Sequence, residues 1–140
     1  MSSAQKSIVA MVHVGALPGT PFASGPLSHA VARAVEEARL YAQSSVDAIM
    51  LENMHDRPYL AGMVGPEVVA AMTAVGCAVR EAVKIPVGVQ ILAAANREAL
   101  AVALACGAAF VRVENFVFAH VADEGLMPTA AAAELLRYRR

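Results

Sequence analysis

Two apolar runs of the sequence end in the same pair of residues, and these pairs are the first candidates for chemistry. Residues 47–53 and 109–115 both finish in Glu-Asn, and a polar loop follows each run. Glu52 and Glu114 thus hold equivalent positions, where two carboxylates would bind a divalent cation or share a proton transfer. Because neighbouring side chains of a strand point to opposite faces, either the glutamate or the asparagine of each pair faces such a site.

A histidine and an arginine lie next to these carboxylates. His13 lies near the end of the first apolar run, where it could act as a general acid or base or hold the adjoining loop through hydrogen bonds. Arg112 shares a predicted strand face with Glu114, so it either pairs with that carboxylate or binds a substrate anion. The catalytic candidates are His13, Glu52, Asp56, Glu114 and Asp123, and the substrate-binding candidates are Asn53, Arg57, Gln90, Arg112, Asn115 and His120.

Two loops after predicted strands carry the remaining polar candidates. His55, Asp56 and Arg57 are consecutive in one loop, and such loop tips are either solvated or functional. His120 and Asp123 lie in the other loop, whose Asp-Glu-Gly segment also fits a plain turn. We expect the second loop to bring its histidine and aspartate close to the arginine and glutamate of the preceding strand. The two lysines precede predicted strands, which argues against a Schiff-base aldolase.

Alternating strand and helix patterns must position these residues. Four continuous apolar, β-branched runs are typical of parallel strands covered on both faces. The predicted strands are residues 8–14, 47–53, 86–92 and 109–115, and the predicted helices are residues 28–44, 66–83, 96–106 and a last one from 129. Ser28, Asn96 and Thr129 are predicted N-caps, and Gly107 is predicted to be a left-handed helix stop. This order predicts a parallel α/β sheet with right-handed crossovers.

The loop lengths indicate where a site lies on this sheet, and the composition indicates which partners are expected. Long polar loops follow the strands and short links precede them, which is typical of a site at the carboxyl ends of the strands. A chain of 140 residues is long enough for one domain. Because 58% of its residues are apolar and only 16% are charged, we expect part of its apolar surface to face a partner. No apolar run reaches about 18 residues, so no membrane span is expected. The sequence has no Lys/Arg cluster, so no nucleic-acid partner is expected. The N-terminal residues show neither a signal-peptide nor a transit-peptide pattern, which predicts a cytoplasmic protein.

Several blocks of the sequence, in order, resemble one family. The segments V-H-V-G-A-L-P-G-T-P, D-A-I-M-L-E-N-M-H-D-R-P-Y, I-P-V-G-V-Q-I-L and F-V-R-V-E-N-F-V-F-A-H-V-A-D-E-G-L resemble the BtpA family. That family is similar to phosphate-binding TIM-barrel enzymes; some members are linked to photosystem I biogenesis or stability, others lie in apparent sugar-metabolism operons, and no reaction is firmly assigned. The chain departs from the family at Gln90, usually Asn, and at residues 93–95, which are alanines in place of polar residues.

The resemblance and the length together predict a half barrel. A closed (β/α)8 barrel needs about 250 residues, so we expect a parallel (β/α)4 unit forming one domain, residues 1–140, truncated after the fourth unit. The usual phosphate site of such barrels, after strands seven and eight, would then be absent. Open edges on strands one and four predict a homo-oligomer or aggregation. The resemblance implies binding of a small, phosphorylated metabolite; the alternatives are a non-catalytic assembly or stability factor and an inactive truncated isoform.

Overall fold

A four-stranded parallel sheet forms the centre of the molecule. The computed structural model describes residues 6–139. The sheet contains β1 (Val9–His13), β2 (Ala48–Glu52), β3 (Val87–Gln90) and β4 (Phe110–Val111), in that spatial order. The helices are α1 (Leu27–Ala42), α2 (Pro66–Ala82), α3 (Asn96–Cys106) and α4 (Ala132–Tyr138). The alternation of parallel strands with helices confirms the predicted α/β class and is consistent with half of a TIM barrel.

One face of the sheet packs against helices α1, α2 and α3. Ile49, Leu51 and Val89 on this face are completely buried and join Val75 and Val102 of the helices in a single core cluster. Alternation along the strands sends Met50, Glu52, Gly88 and Gln90 to the opposite face. We call that opposite face the inner face, because in a closed barrel it would line the interior. The site candidates on the strands therefore divide between two faces.

The outer strands differ from the prediction. β1 was expected to be covered on both faces, yet Val9 is 41% exposed, because β1 is the edge strand of the sheet. β4 was predicted over residues 109–115 but ends at Val111. The chain then turns through Asn115, whose φ is 52°, into an unpredicted antiparallel hairpin of β5 (His120–Ala122) and β6 (Gly125–Met127). Strands of three residues are too short to show an alternating pattern in the sequence.

The predicted helix caps are mostly wrong. The N-cap positions are Pro26 for α1, Ala95 for α3 and Ala131 for α4, and none of these caps its helix through a side chain. Asn96 is instead the first residue of α3, and its amide binds the backbone of Glu114. The predicted stop is confirmed, since Gly107 follows α3 with a φ of 68°. None of the described helices has the length and apolar character needed to cross a membrane.

Helices α2 and α3 pack tightly together at Gly76. A Cβ atom on Gly76 would lie 2.8 Å from Cys106 Sγ and 3.0 Å from Cys106 Cβ. We expect Gly76→Val to lower the free energy of unfolding by about 3 kcal/mol, because overpacking forces the two helices apart. Urea denaturation measures this, with Ala74→Val at an exposed position of the same helix as the control. Equal stability of both variants would show that the helices separate without cost.

Candidate functional site

A row of polar residues crosses the carboxyl ends of the four parallel strands. His13 pairs in register with Glu52, and Glu52 with Gln90. Arg112 follows the Val89–Val111 pair, so it continues this row on the fourth strand. Because register partners in parallel strands point to the same face, all four side chains lie on the inner face. We call His13, Glu52, Gln90 and Arg112 the mouth row.

The carboxylate of Glu52 is the centre of the mouth row. Its residue is only 3% exposed. Glu52 Oε1 accepts a hydrogen bond from Arg112 Nη2 at 2.9 Å, and Glu52 Oε2 lies 3.5 Å from His13 Nε2. The side chains of Arg112 and His13 remain about half exposed, at 54% and 45%. A buried anion thus holds two nitrogen groups in place while leaving each of them accessible to a ligand.

Gln90 lies between the strands that carry this ion pair. It is 2% exposed, and its Oε1 has no hydrogen-bond partner within the described chain. An unpartnered buried acceptor costs free energy, and a ligand donor that reached it would remove that cost. The glutamine therefore offers an acceptor beside a carboxylate and a guanidinium.

Asn53 and Asp56 point away from the mouth row and tie three loops together. Asn53 Oδ1 accepts the Leu92 N–H at 2.8 Å, and Asn53 Nδ2 donates to Asp56 Oδ2 at 3.1 Å. Asp56 Oδ1 accepts the Leu17 N–H at 2.7 Å. Both residues are buried. These bonds give the pair a structural role in joining the loops after β1, β2 and β3, while a direct part in chemistry stays a prediction.

The buried carboxyl of Asp56 makes stability depend on pH. Burial raises the pKa of Asp56 above its usual value, although the Leu17 N–H, the Asn53 amide and the charge of His55 each act to lower it. A raised pKa means that the folded state holds the proton more tightly, so the stability from this group is greatest below the unfolded pKa, about 3.9. That contribution is lost as the pH rises through the folded pKa.

The matched variant Asp56→Asn isolates this effect. The free energy of unfolding, measured by urea at pH steps from about 3 to 7, is expected to favour the wild type most at the acid end. The difference between the two proteins should then shrink or reverse with rising pH. A difference that instead grows with pH would mean that the Leu17 and Asn53 hydrogen bonds outweigh burial.

Glu114 does not take the position equivalent to Glu52, contrary to the prediction. Its carboxylate accepts a hydrogen bond from the Ala94 N–H. Its backbone carbonyl accepts one from Asn96 Nδ2, and its backbone N–H donates one to Asn96 Oδ1. Since β4 ends at Val111, Arg112 occupies the equivalent level and pairs with Glu52 rather than with Glu114. In residues 6–139 no group of three or more His, Cys, Asp or Glu side chains could hold a metal ion. Glu52 and Glu114 thus have different partners, and their predicted binding of a divalent cation stays a prediction.

The predicted gathering of Arg112, Glu114, His120 and Asp123 in one neighbourhood stays a prediction, but a hairpin rather than a loop carries the last two. Asn115 Nδ2 donates to the Met127 carbonyl at 2.8 Å, which anchors the hairpin. His120 begins β5. Asp123 lies at the hairpin turn and lines a concavity with Arg57 and Tyr59. The hairpin thus carries His120 on a strand and Asp123 at its turn, rather than on an open loop.

Comparison with known proteins decides the family. The model of the BtpA family matches residues 4–140. The chain belongs to the BtpA family. It is 44% identical to an uncharacterized mitochondrial protein of Caenorhabditis elegans over 99% of this chain and 52% of that protein. It is 38% identical to the photosystem I biogenesis protein BtpA of Synechocystis over 95% of this chain and 46% of that protein.

An uncharacterized protein of Archaeoglobus fulgidus is 39% identical over 97% of this chain and 54% of the relative. This BtpA-family chain therefore spans about half the length of the curated relatives it matches. No solved structure matches the chain significantly.

Two basic residues of this BtpA-family chain were missed at the sequence level. His29 and Arg33 of α1 line a cavity together with His55 and Arg57 from the loop after β2. More than twenty residues separate the two pairs in the sequence, so no basic cluster was visible there. The one available signal was the start of α1, whose first turn contains no acidic residue.

Proposed function

We propose that this BtpA-family chain binds a small, phosphorylated metabolite at the carboxyl ends of its parallel strands. The observation that carries the proposal is the buried Glu52 carboxylate, which holds His13 and Arg112 half exposed on the inner face. Burying a charge costs free energy that an apolar residue would not, so its retention at this edge supports a functional role. The curated relatives are about twice as long, and the activity of a whole protein is part of the same proposal.

Each member of the mouth row has a role in this proposal. The guanidinium of Arg112 donates hydrogen bonds to an oxygen of the metabolite, and Gln90 Oε1 accepts one from a hydroxyl. His13 transfers a proton, with Glu52 Oε2, 3.5 Å from its Nε2, orienting the ring. Proton transfer to or from a bound hydroxyl, or a carbon next to a carbonyl group, is the chemistry that this set supports.

Ligand-dependent melting of the 140-residue chain tests the proposal. Thermal melts and titration calorimetry would use a panel of sugar phosphates and the corresponding free sugars, with and without Mg²⁺. We expect at least one phosphorylated compound to raise the melting temperature, and Arg112→Gln to weaken its binding about tenfold, the usual effect of losing a charge-assisted hydrogen bond. Arg39→Gln, at an exposed position of α1, is the control. A panel without any response, or equal binding by both variants, contradicts the proposal.

A second candidate function, that of a non-catalytic assembly or stability factor, has one observation in its favour. Apolar side chains are exposed around the β5–β6 hairpin, where Phe118 is 81%, Val121 75% and Leu126 70% exposed. Patches of this kind are typical of protein-binding surfaces, and one relative is named for photosystem I biogenesis. A protein partner that co-purifies with the wild type and is lost with Phe118→Ser would support this function. Retention of the partner by Phe118→Ser, with Leu104→Ser as the exposed control, would contradict it.

Self-association of the isolated chain is a further part of the proposal. Within residues 6–139, strands β1 and β4 each pair with a single neighbouring strand, and the exposed Ile8 and Val9 lie at the β1 edge. Unpaired parallel edges beside apolar side chains pair readily with other copies. We expect light scattering to show dimers or larger species, and Val9→Lys to shift the population toward monomer. A monodisperse wild-type monomer would rule this out.

A further inference from the structure

A basic cavity lies between the loop that follows β1 and the loop that follows β2. Its volume is about 360 Å³, and its lining begins at Gly15, two residues after His13. The titratable side chains in the lining are all basic, namely His29, Arg33, His55 and Arg57. Within residues 6–139 none of these four takes part in an ion pair. Within these residues no ion pair therefore occupies the two guanidinium groups, although Asp123 and Glu124 line a neighbouring concavity with Arg57.

The start of α1 adds to this positive potential. Pro26 and Leu27, the N-cap and the first residue of the helix, both line the cavity. No side chain caps the helix, and its first turn contains no acidic residue. The partial positive charge of a helix N-terminus attracts anions, and here nothing on the helix offsets it. The four side chains and the helix end thus act on the same space.

We propose that this cavity binds the phosphoryl group of a small organic phosphate; the proposal deepens the function proposed above and rests on it. Two guanidinium groups and two imidazoles match a phosphate dianion better than a carboxylate, whose single charge one arginine would satisfy. Arg33 and Arg57 approach from different elements, so they contact different oxygens of one phosphoryl group. The phosphate site thus lies after strands one and two.

The organic part of the ligand has room on the side of Arg57. Phe22, 64% exposed, lines the basic cavity and also a neighbouring concavity of about 450 Å³. The other residues that line this concavity are Arg57, Pro58, Tyr59, Asp123 and Glu124, so its two carboxylates suit hydroxyl groups of the organic part rather than its phosphate. The flat ring of Phe22 offers apolar contact to a carbon skeleton whose phosphate lies on the basic side. A phosphate monoester is therefore expected to bind more tightly than inorganic phosphate.

Titration of the full chain with inorganic phosphate and with glycerol 3-phosphate tests this assignment, with glycerol as the uncharged comparison. Calorimetry would follow the wild type, Arg33→Gln, Arg57→Gln and the double variant. The control is Arg39→Gln, near the opposite end of α1. All of these positions are exposed, and circular dichroism melts verify that each variant folds. We expect each single change to weaken phosphate binding about tenfold, the double variant to abolish it, and the control to bind normally.

The outcomes separate this inference from the proposed function. Absence of phosphate binding by the wild type at millimolar concentration, or undiminished binding by the double variant, overturns the assignment of the cavity. Phosphate binding that depends on Arg112 but not on Arg33 or Arg57 overturns it while leaving the metabolite site intact. Phosphate binding at the cavity without any effect of mouth-row variants on any ligand would instead contradict the proposed function alone.

Discussion

Asn53→Leu is expected to lower the free energy of unfolding by about 3 kcal/mol and the melting temperature by on the order of 10 °C. Leucine has nearly the same size but cannot bind the Leu92 N–H or the Asp56 carboxylate, both of which Asn53 contacts. The Leu92 N–H and Asp56 Oδ2 lose these partners where water has little access, although Asp56 Oδ1 keeps the Leu17 N–H. The cost of an unsatisfied buried group exceeds the value of the bond itself. The effect should be among the largest of any single polar substitution in this chain.

Urea denaturation and amide hydrogen exchange measure the consequence. The exchange of the Leu92 and Leu17 amides should accelerate, because both are held by the Asn53–Asp56 pair. Gln43→Leu, the same kind of change at an exposed position after α1, is the control for the added apolar surface. If Asn53→Leu were as stable as this control, the pair would not be what joins the three loops.

Glu52→Leu, one residue earlier, is expected to change the stability little and to weaken metabolite binding strongly. Removing one partner of a buried ion pair is strongly destabilising where the remaining charge stays buried, but here both remaining groups are accessible to water, so the free energy of unfolding should stay within about 1 kcal/mol of the wild type. Arg112 and His13 are half exposed and regain hydration when the carboxylate is removed. Metabolite affinity should nevertheless fall by about thirtyfold or more, which corresponds to about 2 kcal/mol.

The comparison of stability with affinity in one variant decides the role of Glu52. Calorimetric titration with the compound that stabilises the wild type gives the affinity, and urea denaturation gives the stability. Glu81→Leu, at an exposed position of α2, is the control for loss of a glutamate. A Glu52→Leu protein that loses several kcal/mol of stability, or that binds the metabolite as before, would show that the mouth row is structural.

The two neighbouring substitutions also show how far sequence reasoning reached at the site. The pair Glu52 and Asn53 was visible as a chemical signal at the end of a strand, but the face of each residue was left open. Alternation along β2 sends the glutamate to the inner face and the asparagine toward the loops. Their different roles follow from the register with β1 and β3, which the sequence of β2 alone does not contain.

The end of the fourth strand was a second feature that the sequence did not predict correctly. Its sequence resembles that of β2, which favoured equivalent positions for Glu52 and Glu114. The chain leaves the sheet after Val111, so Glu114 binds the loop before α3, and Arg112 reaches across Gln90 to Glu52. Where a strand stops depends on its hydrogen-bond partners, and β4 is paired on one side only.

Local sequence by itself determined the alternation of strands and helices, the parallel sheet, the left-handed stop at Gly107 and the membership in the BtpA family. These features depend on apolar periodicity, on glycine conformation and on motifs that are contiguous along the chain. Only the tertiary structure decided which polar groups meet: the Glu52–Arg112 pair spans sixty residues, and the basic cavity joins α1 to a loop more than twenty residues away. Such contacts are set by strand register and loop packing, because electrostatic partners are chosen by distance in space.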